Sequence, residues 1–118
     1  HDETDTGDGA EVPQAVKDLL GAYLGKRRVR FEDIVDFHWR FESIHPFQDG
    51  NGRVGRLIAF KECLLHGMTP FIINDEHKAF YYRGLSHYST VPDFLLGTCR
   101  SAQDRYAERV RFFAAPTP

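Results

Sequence analysis

Apolar residues recur along most of this chain at intervals of three and four, the spacing of one face of an α-helix. Val16, Leu19, Leu20, Tyr23 and Leu24 form the first such run. Pro13 suits its opening turn and Gly25 stops it. Phe31, Ile34, Val35, His38, Phe41 and Ile44 predict a second helix over about 31–44, with no glycine or proline inside it. A third is predicted from about Asn51 to His66. Val54, Leu57, Ile58, Leu64 and Leu65 make it largely buried, and Gly67 ends it. Phe71-Ile72-Ile73 reads as a short extended piece after Pro70. Asn74 or Asp75 then caps a fourth helix running to about Tyr88 and packed by Phe80, Tyr81 and Leu85. Thr90 and Asp93 have capping-box spacing, and Pro92 falls in the first turn of a fifth helix. Leu95, Cys99, Ala102, Tyr106, Val110 and Phe113 line that helix's inner face. There is no internal repeat. The expected architecture is all-α with short connectors.

Composition narrows the classes. A chain of 118 residues fits one domain. Its 42% hydrophobic residues, with ten Phe and five Tyr, suffice for a core and argue against disorder. No apolar run approaches the ~18 residues of a membrane span. Cys63 and Cys99 lack zinc spacing and are too few for a disulfide scaffold. They read as buried thiols of a reducing, cytoplasmic setting, although an effector secreted after synthesis would look the same. A net charge of −2 argues against direct nucleic-acid binding. Asp2, Glu3, Asp5, Asp8 and Glu11 give residues 1–11 a charge of −5, whereas the rest carries +3. Residues 1–11 therefore read as an acidic arm, residues 12–113 as the folded domain, and residues 114–118 as a frayed tail. The first residue is His1 rather than Met, which reads as a fragment.

The chemistry concentrates between the second and third helices. Gly50 and Gly52 let a ligand approach the main chain closely. The amides of Gly50, Asn51 and Gly52 point out of a helix N-terminus, where unpaired N–H groups and the helix dipole favour a phosphate. Arg53 and Arg56 share a face and present forked donors to phosphate oxygens. Asp49 beside such a cradle makes sense as a Mg²⁺ ligand, the ion neutralising phosphate charge. His45 supplies an imidazole, able to take a proton near neutral pH. A base, a metal ligand, an anion cradle and two arginines together suit phosphoryl or nucleotidyl transfer, which depends on positioning and charge stabilisation.

The stretch His45-Pro46-Phe47-Gln48-Asp49-Gly50-Asn51-Gly52-Arg53-Val54-Gly55-Arg56 resembles the signature of Fic domains, H-P-F-x-D/E-G-N-G-R-x-x-R, at every specified position. Phe41-Glu42-Ser43-Ile44 before it and Tyr81-Tyr82 to Leu85 after it are similar to family sequence. The resemblance spans roughly Val12 to Tyr88. It implies a helical fold and a transferase that moves AMP from ATP to a Ser, Thr or Tyr hydroxyl of a protein. In that reading His45 is the base, Phe47 a buried anchor of the loop, and Asp49 the Mg²⁺ ligand. Gly50, Asn51 and Gly52 hold the α- and β-phosphates, with the Asn51 side chain contributing. Arg53 contacts the β- and γ-phosphates and stabilises the leaving pyrophosphate, and Arg56 binds the γ-phosphate.

Two further parts of the family pattern are expected outside this chain. One is the β-hairpin flap that docks a target peptide as an added strand. The other is the inhibitory helix with its S/T-x-x-x-E-G/N pattern. The C-terminal candidate, from Ser101, has Arg105 where Glu belongs. Inhibition is then expected from an N-terminal segment or from an antitoxin-like partner. Gly52 argues against phosphotransferase relatives, which carry Lys there. Transfer of UMP, GMP or phosphocholine, and a silent nucleotide-binding or toxin–antitoxin module, are the alternatives.

Other residues read plainly. His38 is a core histidine, His66 complements a helix C-terminus, and His77 and His87 lie at the surface. One of Tyr81 and Tyr82 packs in the core while the other borders the nucleotide. Lys26–Arg30 is a solvated connector, and Phe112 and Phe113 close the core.

Overall fold

The computed structural model describes residues 11–114. These form five α-helices: α1 (Glu11–Leu24), α2 (Phe31–Ile44), α3 (Asn51–Leu65), α4 (Lys78–His87) and α5 (Asp93–Ala114). A single 3₁₀ turn, Asp75–His77, precedes α4. No strand occurs among the described residues, so the all-α expectation holds. Helix α1 begins at Glu11, one residue inside the stretch expected as an acidic arm. The rest of that arm, and residues 115–118 of the expected tail, lie outside the described residues. Two compact units divide after Ala59, within α3.

In the first unit α1 meets α2 through aromatic rings. Tyr23, Phe37 and Phe41 are buried together, with Leu19, Val29, Val54 and Ile58 packed around them. The Tyr23 and Phe37 centroids are 4.9 Å apart at 54°, a tilted geometry favoured by ring quadrupoles. At the start of α2 the Asp33 carboxylate accepts the Arg30 amide at 2.9 Å, occupying a donor that the first turn leaves over. Lys26 adds an ion pair to Asp33 at 3.5 Å. Part of the basic connector is thus a helix-end device. A cavity of about 680 Å³ lies between α1 and α2, with Leu19, Tyr23, Phe37 and Trp39 among its lining, and extends to Ile44 at the end of α2.

The second unit is built on α4 against α5. Tyr81, Leu95, Cys99 and Ala102 are fully or almost fully buried, and Phe71 and Ile73 join them from the connector. Ile72 between these two points outward, which matches an extended piece without ladder pairing. Gly67 adopts φ +72°, a conformation glycine tolerates, and α3 stops there. Gln103 donates to the Thr69 carbonyl at 2.6 Å and secures the chain after that turn. Phe60 and Tyr106 meet edge to face at 5.7 Å. Burial pushes the Cys63 thiol up to about 11 and, together with its neighbour Cys63, the Cys99 thiol up to about 12. Both cysteines are free and buried, as the sequence implied.

Several expectations about packing fail. Leu57, Leu64 and Leu65 on α3 are more than half exposed, as is Phe80 on α4. Val110 is half exposed, while Phe112 and Phe113 are 77% exposed and face each other rather than a core. Helical spacing identifies an apolar stripe but not whether another element covers it. Thr90 does not cap α5. Its hydroxyl and amide both turn back to the His87 carbonyl, so it ends α4 instead. Asn74 does cap, accepting the His77 amide at 3.2 Å, but it opens the 3₁₀ turn rather than a continuous helix.

Gly84 marks the tightest approach between α4 and α5. A Cβ there would stand 2.7 Å from the Leu95 Cα and 2.9 Å from its N, both main-chain atoms. Gly97 on α5 has nothing within 4 Å. Gly84→Ala is therefore expected to destabilise by about 1–3 kcal/mol through overpacking. Gly97→Ala is expected to gain up to about 1 kcal/mol from helix propensity alone. Urea midpoints of the two variants check the contrast; equal effects would contradict the helix contact.

Candidate active site

Helix α2 ends at Ile44, and α3 begins at Asn51. The six residues between them turn the chain from one carbonyl end to one amide end. His45 caps α2 in the left-handed region, φ 55° and ψ 60°, with its amide donating to the Phe41 carbonyl at 3.2 Å. It is the non-glycine residue with positive φ among the described residues. A bulky side chain in that region is unusual and turns the chain sharply out of the helix. The imidazole consequently stands at the mouth of the loop and is partly exposed.

Asn51 fixes the loop's other end. Its Oδ1 accepts the Phe47 amide at 2.8 Å, and its Nδ2 donates to the Phe47 carbonyl at 2.7 Å. Asn51 itself is buried. Both polar ends of its amide are thereby committed to one residue's main chain, which closes the loop into a ring. The Asn51 side chain thus holds the main chain of Phe47, the residue expected as a buried anchor. Its ring is 48% exposed and touches Phe41 only loosely, at 6.4 Å between centroids. The loop is anchored by the Phe47 main chain.

Gly50 has φ +78° and swings the chain into α3, where the Val54 amide reaches the Gly50 carbonyl at 3.0 Å. The amides of Asn51, Gly52 and Arg53 occupy the first turn, where no intrahelical acceptor exists. Both arginines curl back over this turn. Arg53 Nη2 lies 3.0 Å from the position of a Gly50 Cβ, and Arg56 Nη1 lies 2.9 Å from that of a Gly52 Cβ. Two guanidinium groups thus cover two glycines beside a row of amides. Fixed positive charge of this kind, on a helix N-terminus, suits a phosphate chain. Asp49 is exposed on the same loop. No cluster of three or more His, Cys, Asp or Glu suited to a metal occurs among the described residues. A lone exposed carboxylate nevertheless fits Mg²⁺, which commonly binds through one carboxylate, waters and the substrate's own phosphates.

Beneath the loop lie two residues that the motif does not include. Gly55 is buried, and a Cβ on it would run into Glu42 Oε2 and, at 3.2 Å, the His38 ring. His38 is 1% exposed and hydrogen-bonded to the Gly55 main chain, the core histidine expected of it. Burial, aided by the Arg56 charge and opposed by the hydrogen bond, lowers its pKa to about 4. Burial likewise pushes the Glu42 carboxyl up, while Arg56 and His45 pull it down. Spacing alone carried a signal here. His38, Glu42 and His45 follow one another at four and three residues, on one side of α2.

The comparisons with known proteins bear on this geometry. The model of the Fic/DOC family matches residues 3–63, which include α1, α2, the loop and most of α3. The chain belongs to the Fic/DOC family. Its relatives include the protein adenylyltransferase Fic of Aedes aegypti, 42% identical over 45 residues, which are 38% of this chain and 9% of that protein. The protein adenylyltransferase fic-1 of Caenorhabditis elegans is 38% identical over 56 residues, 48% of this chain and 11% of the relative. That of Drosophila willistoni is 32% identical over 79 residues, 67% of this chain and 16% of the relative. The chain thus spans only about a tenth to a sixth of the length of these Fic relatives.

Two predictions follow from the site's interior. Unfolded His38 takes a proton at its ordinary 6.5, whereas the folded ring does so only near 4. The unfolded state therefore binds more protons between these values. The contribution of neutral His38 is fully present above pH 6.5 and is lost as pH falls towards 4. Its full size is about 3 kcal/mol, of which about 2 kcal/mol is gone by pH 5. Urea midpoints at pH 7 and pH 5 are expected to differ by clearly less in His38→Gln than in the parent protein. Asn51→Ala removes both bonds to Phe47 and is expected to cost about 1–3 kcal/mol. Amide hydrogen exchange at Phe47 should accelerate in that variant; unchanged exchange would mean the loop is held by something else.

Proposed function

We propose that this chain carries the catalytic loop of a protein adenylyltransferase, transferring AMP from ATP to a Ser, Thr or Tyr hydroxyl of a target protein. The observation that carries the reading is the juxtaposition of His45 with a row of helix-end amides overlain by Arg53 and Arg56. Membership of the Fic/DOC family and relatives named as protein adenylyltransferases support it. In this reading the amides of Gly50, Asn51 and Gly52 hold the α- and β-phosphates. Arg53 faces the β- and γ-phosphates, and Arg56 the γ-phosphate. His45 removes the proton of the target hydroxyl, whose oxygen attacks the α-phosphorus in line. The bond from that phosphorus to the bridging oxygen breaks, and pyrophosphate leaves with its charge met by Arg53. Asp49 would hold Mg²⁺, which when bound neutralises phosphate charge and polarises the phosphoryl oxygens. Asn51 serves this chemistry indirectly, by keeping the amide row and His45 on one rigid ring. Inhibition in this reading comes from an N-terminal segment or from a separate antitoxin-like partner.

Labelled nucleotide tests the reading. The protein is incubated with Mg²⁺, a cell lysate and either α-labelled or γ-labelled ATP. Label on protein from the α-phosphate alone is the expected result. His45→Ala is expected to reduce it at least about 10²-fold, the usual scale of a lost general base, while Mg·ATP still binds. Label arriving from the γ-phosphate would replace AMP transfer with phosphotransfer. With no label from either, weight moves to UMP, GMP or phosphocholine as the donated group, or to a silent binding module.

A further inference from the structure

We propose that Glu42 is a positioning residue of this site, its carboxylate lodged over Gly55 so as to hold the Arg56 guanidinium beside the amide row. The proposal deepens the reading above and rests on the loop being a nucleotide site.

Glu42 lies in the last turn of α2, one turn before His45. Its Oε2 is buried without a hydrogen bond. A buried carboxylate oxygen is costly unless a compensating charge lies near. Compensation comes from α3, whose Arg56 acts on Glu42, and from His45 at the cap of Glu42's own helix. The His38 ring shares the same contact with Gly55. Helix α1 meets α2 elsewhere, at Phe37, through the Tyr23 ring. Arg56 is the charge common to both buried groups, since it also acts on His38.

Room for this arrangement exists because position 55 carries no Cβ. Any side chain there would displace Oε2 and press on His38. Arg56 follows directly, and its guanidinium reaches back over Gly52. A guanidinium has five donors in a planar fork. Attraction to the Glu42 charge, with no hydrogen bond between the two, leaves these donors for a phosphate and removes part of the rotamer freedom that a ligand would otherwise have to freeze. Glu42 thus tunes Arg56 by orientation, at some cost in net positive charge.

A double-mutant cycle on Mg·ATP affinity, measured by calorimetry, tests this. Glu42→Gln is expected to weaken binding about five-fold when Arg56 is present and less than about two-fold in an Arg56→Ala background. Gly55→Ala, which keeps the charge but evicts the carboxylate, should reproduce the loss. Equal factors in the two backgrounds, or tighter binding in Glu42→Gln, would overturn the proposal. A second readout needs no nucleotide. The ¹³C titration of the Glu42 carboxyl should move upward in Arg56→Ala, because the charge that lowers it is gone. If that titration does not move, the proposal fails whatever ATP does. If it moves in a protein that binds no ATP, the Glu42–Arg56 pair stands and the nucleotide reading falls.

Discussion

Three absent Cβ atoms, at positions 50, 52 and 55, are the constraint on which the loop's chemistry depends. Each absence is filled by a charged or titratable side chain: Arg53 over Gly50, Arg56 over Gly52, and Glu42 with His38 against Gly55. Long cationic side chains ordinarily extend into water and leave a helix end to the solvent. Here the main chain is bare enough for them to fold back on it. The third gap differs from the other two, because Gly55 is buried and faces α2. It places a carboxylate and an imidazole between two helices that otherwise meet through Phe41, Val54 and Ile58. Polar groups in such a position specify the register of the two helices more sharply than apolar packing alone.

Asn51 adds a different kind of constraint. Its two hydrogen bonds to Phe47 span four residues of a turn that has few other fixed contacts. A loop closed in this manner needs no buried aromatic anchor, which explains how Phe47 can remain half exposed. The same closure sets His45 and the amide row at a fixed separation. Without it, six residues joining two helices would retain much of their conformational freedom, and binding would have to supply the ordering.

Much of this was legible in the order of residues. The limits of α2 follow from an uninterrupted apolar face between Arg30 and the turn residues Pro46 and Gly50. The loop declared its chemistry because glycines, a histidine, an aspartate and two arginines rarely share twelve positions without a ligand. What stayed hidden was which atoms meet. A motif assigns Asn51 a place but not a partner, and its side chain serves the loop's own main chain. Exposure of Leu57, Leu64 and Phe113 was equally illegible, since periodicity reports a face and says nothing about what covers it. Thr90 shows a third limit. Its spacing to Asp93 fits a cap, yet its hydroxyl has a nearer acceptor at the end of α4. Glu42 went unassigned for a related reason. Spacing sets it on one side of α2 with His38 and His45, but its contact lies in a gap on another helix, five residues beyond the loop.

The cap at His45 has a consequence for how charge can be separated. Helix α2 delivers its last carbonyls to one side of the loop, and α3 delivers its first amides to the other. The two peptide dipoles therefore act in sequence across six residues, with a negative pole beside the imidazole and a positive pole beside the glycines. A proton and an anion entering this loop are drawn to opposite ends of it. The backbone itself thus supplies a built-in field along the loop, present before any ligand arrives and unchanged by which side chains later respond to it.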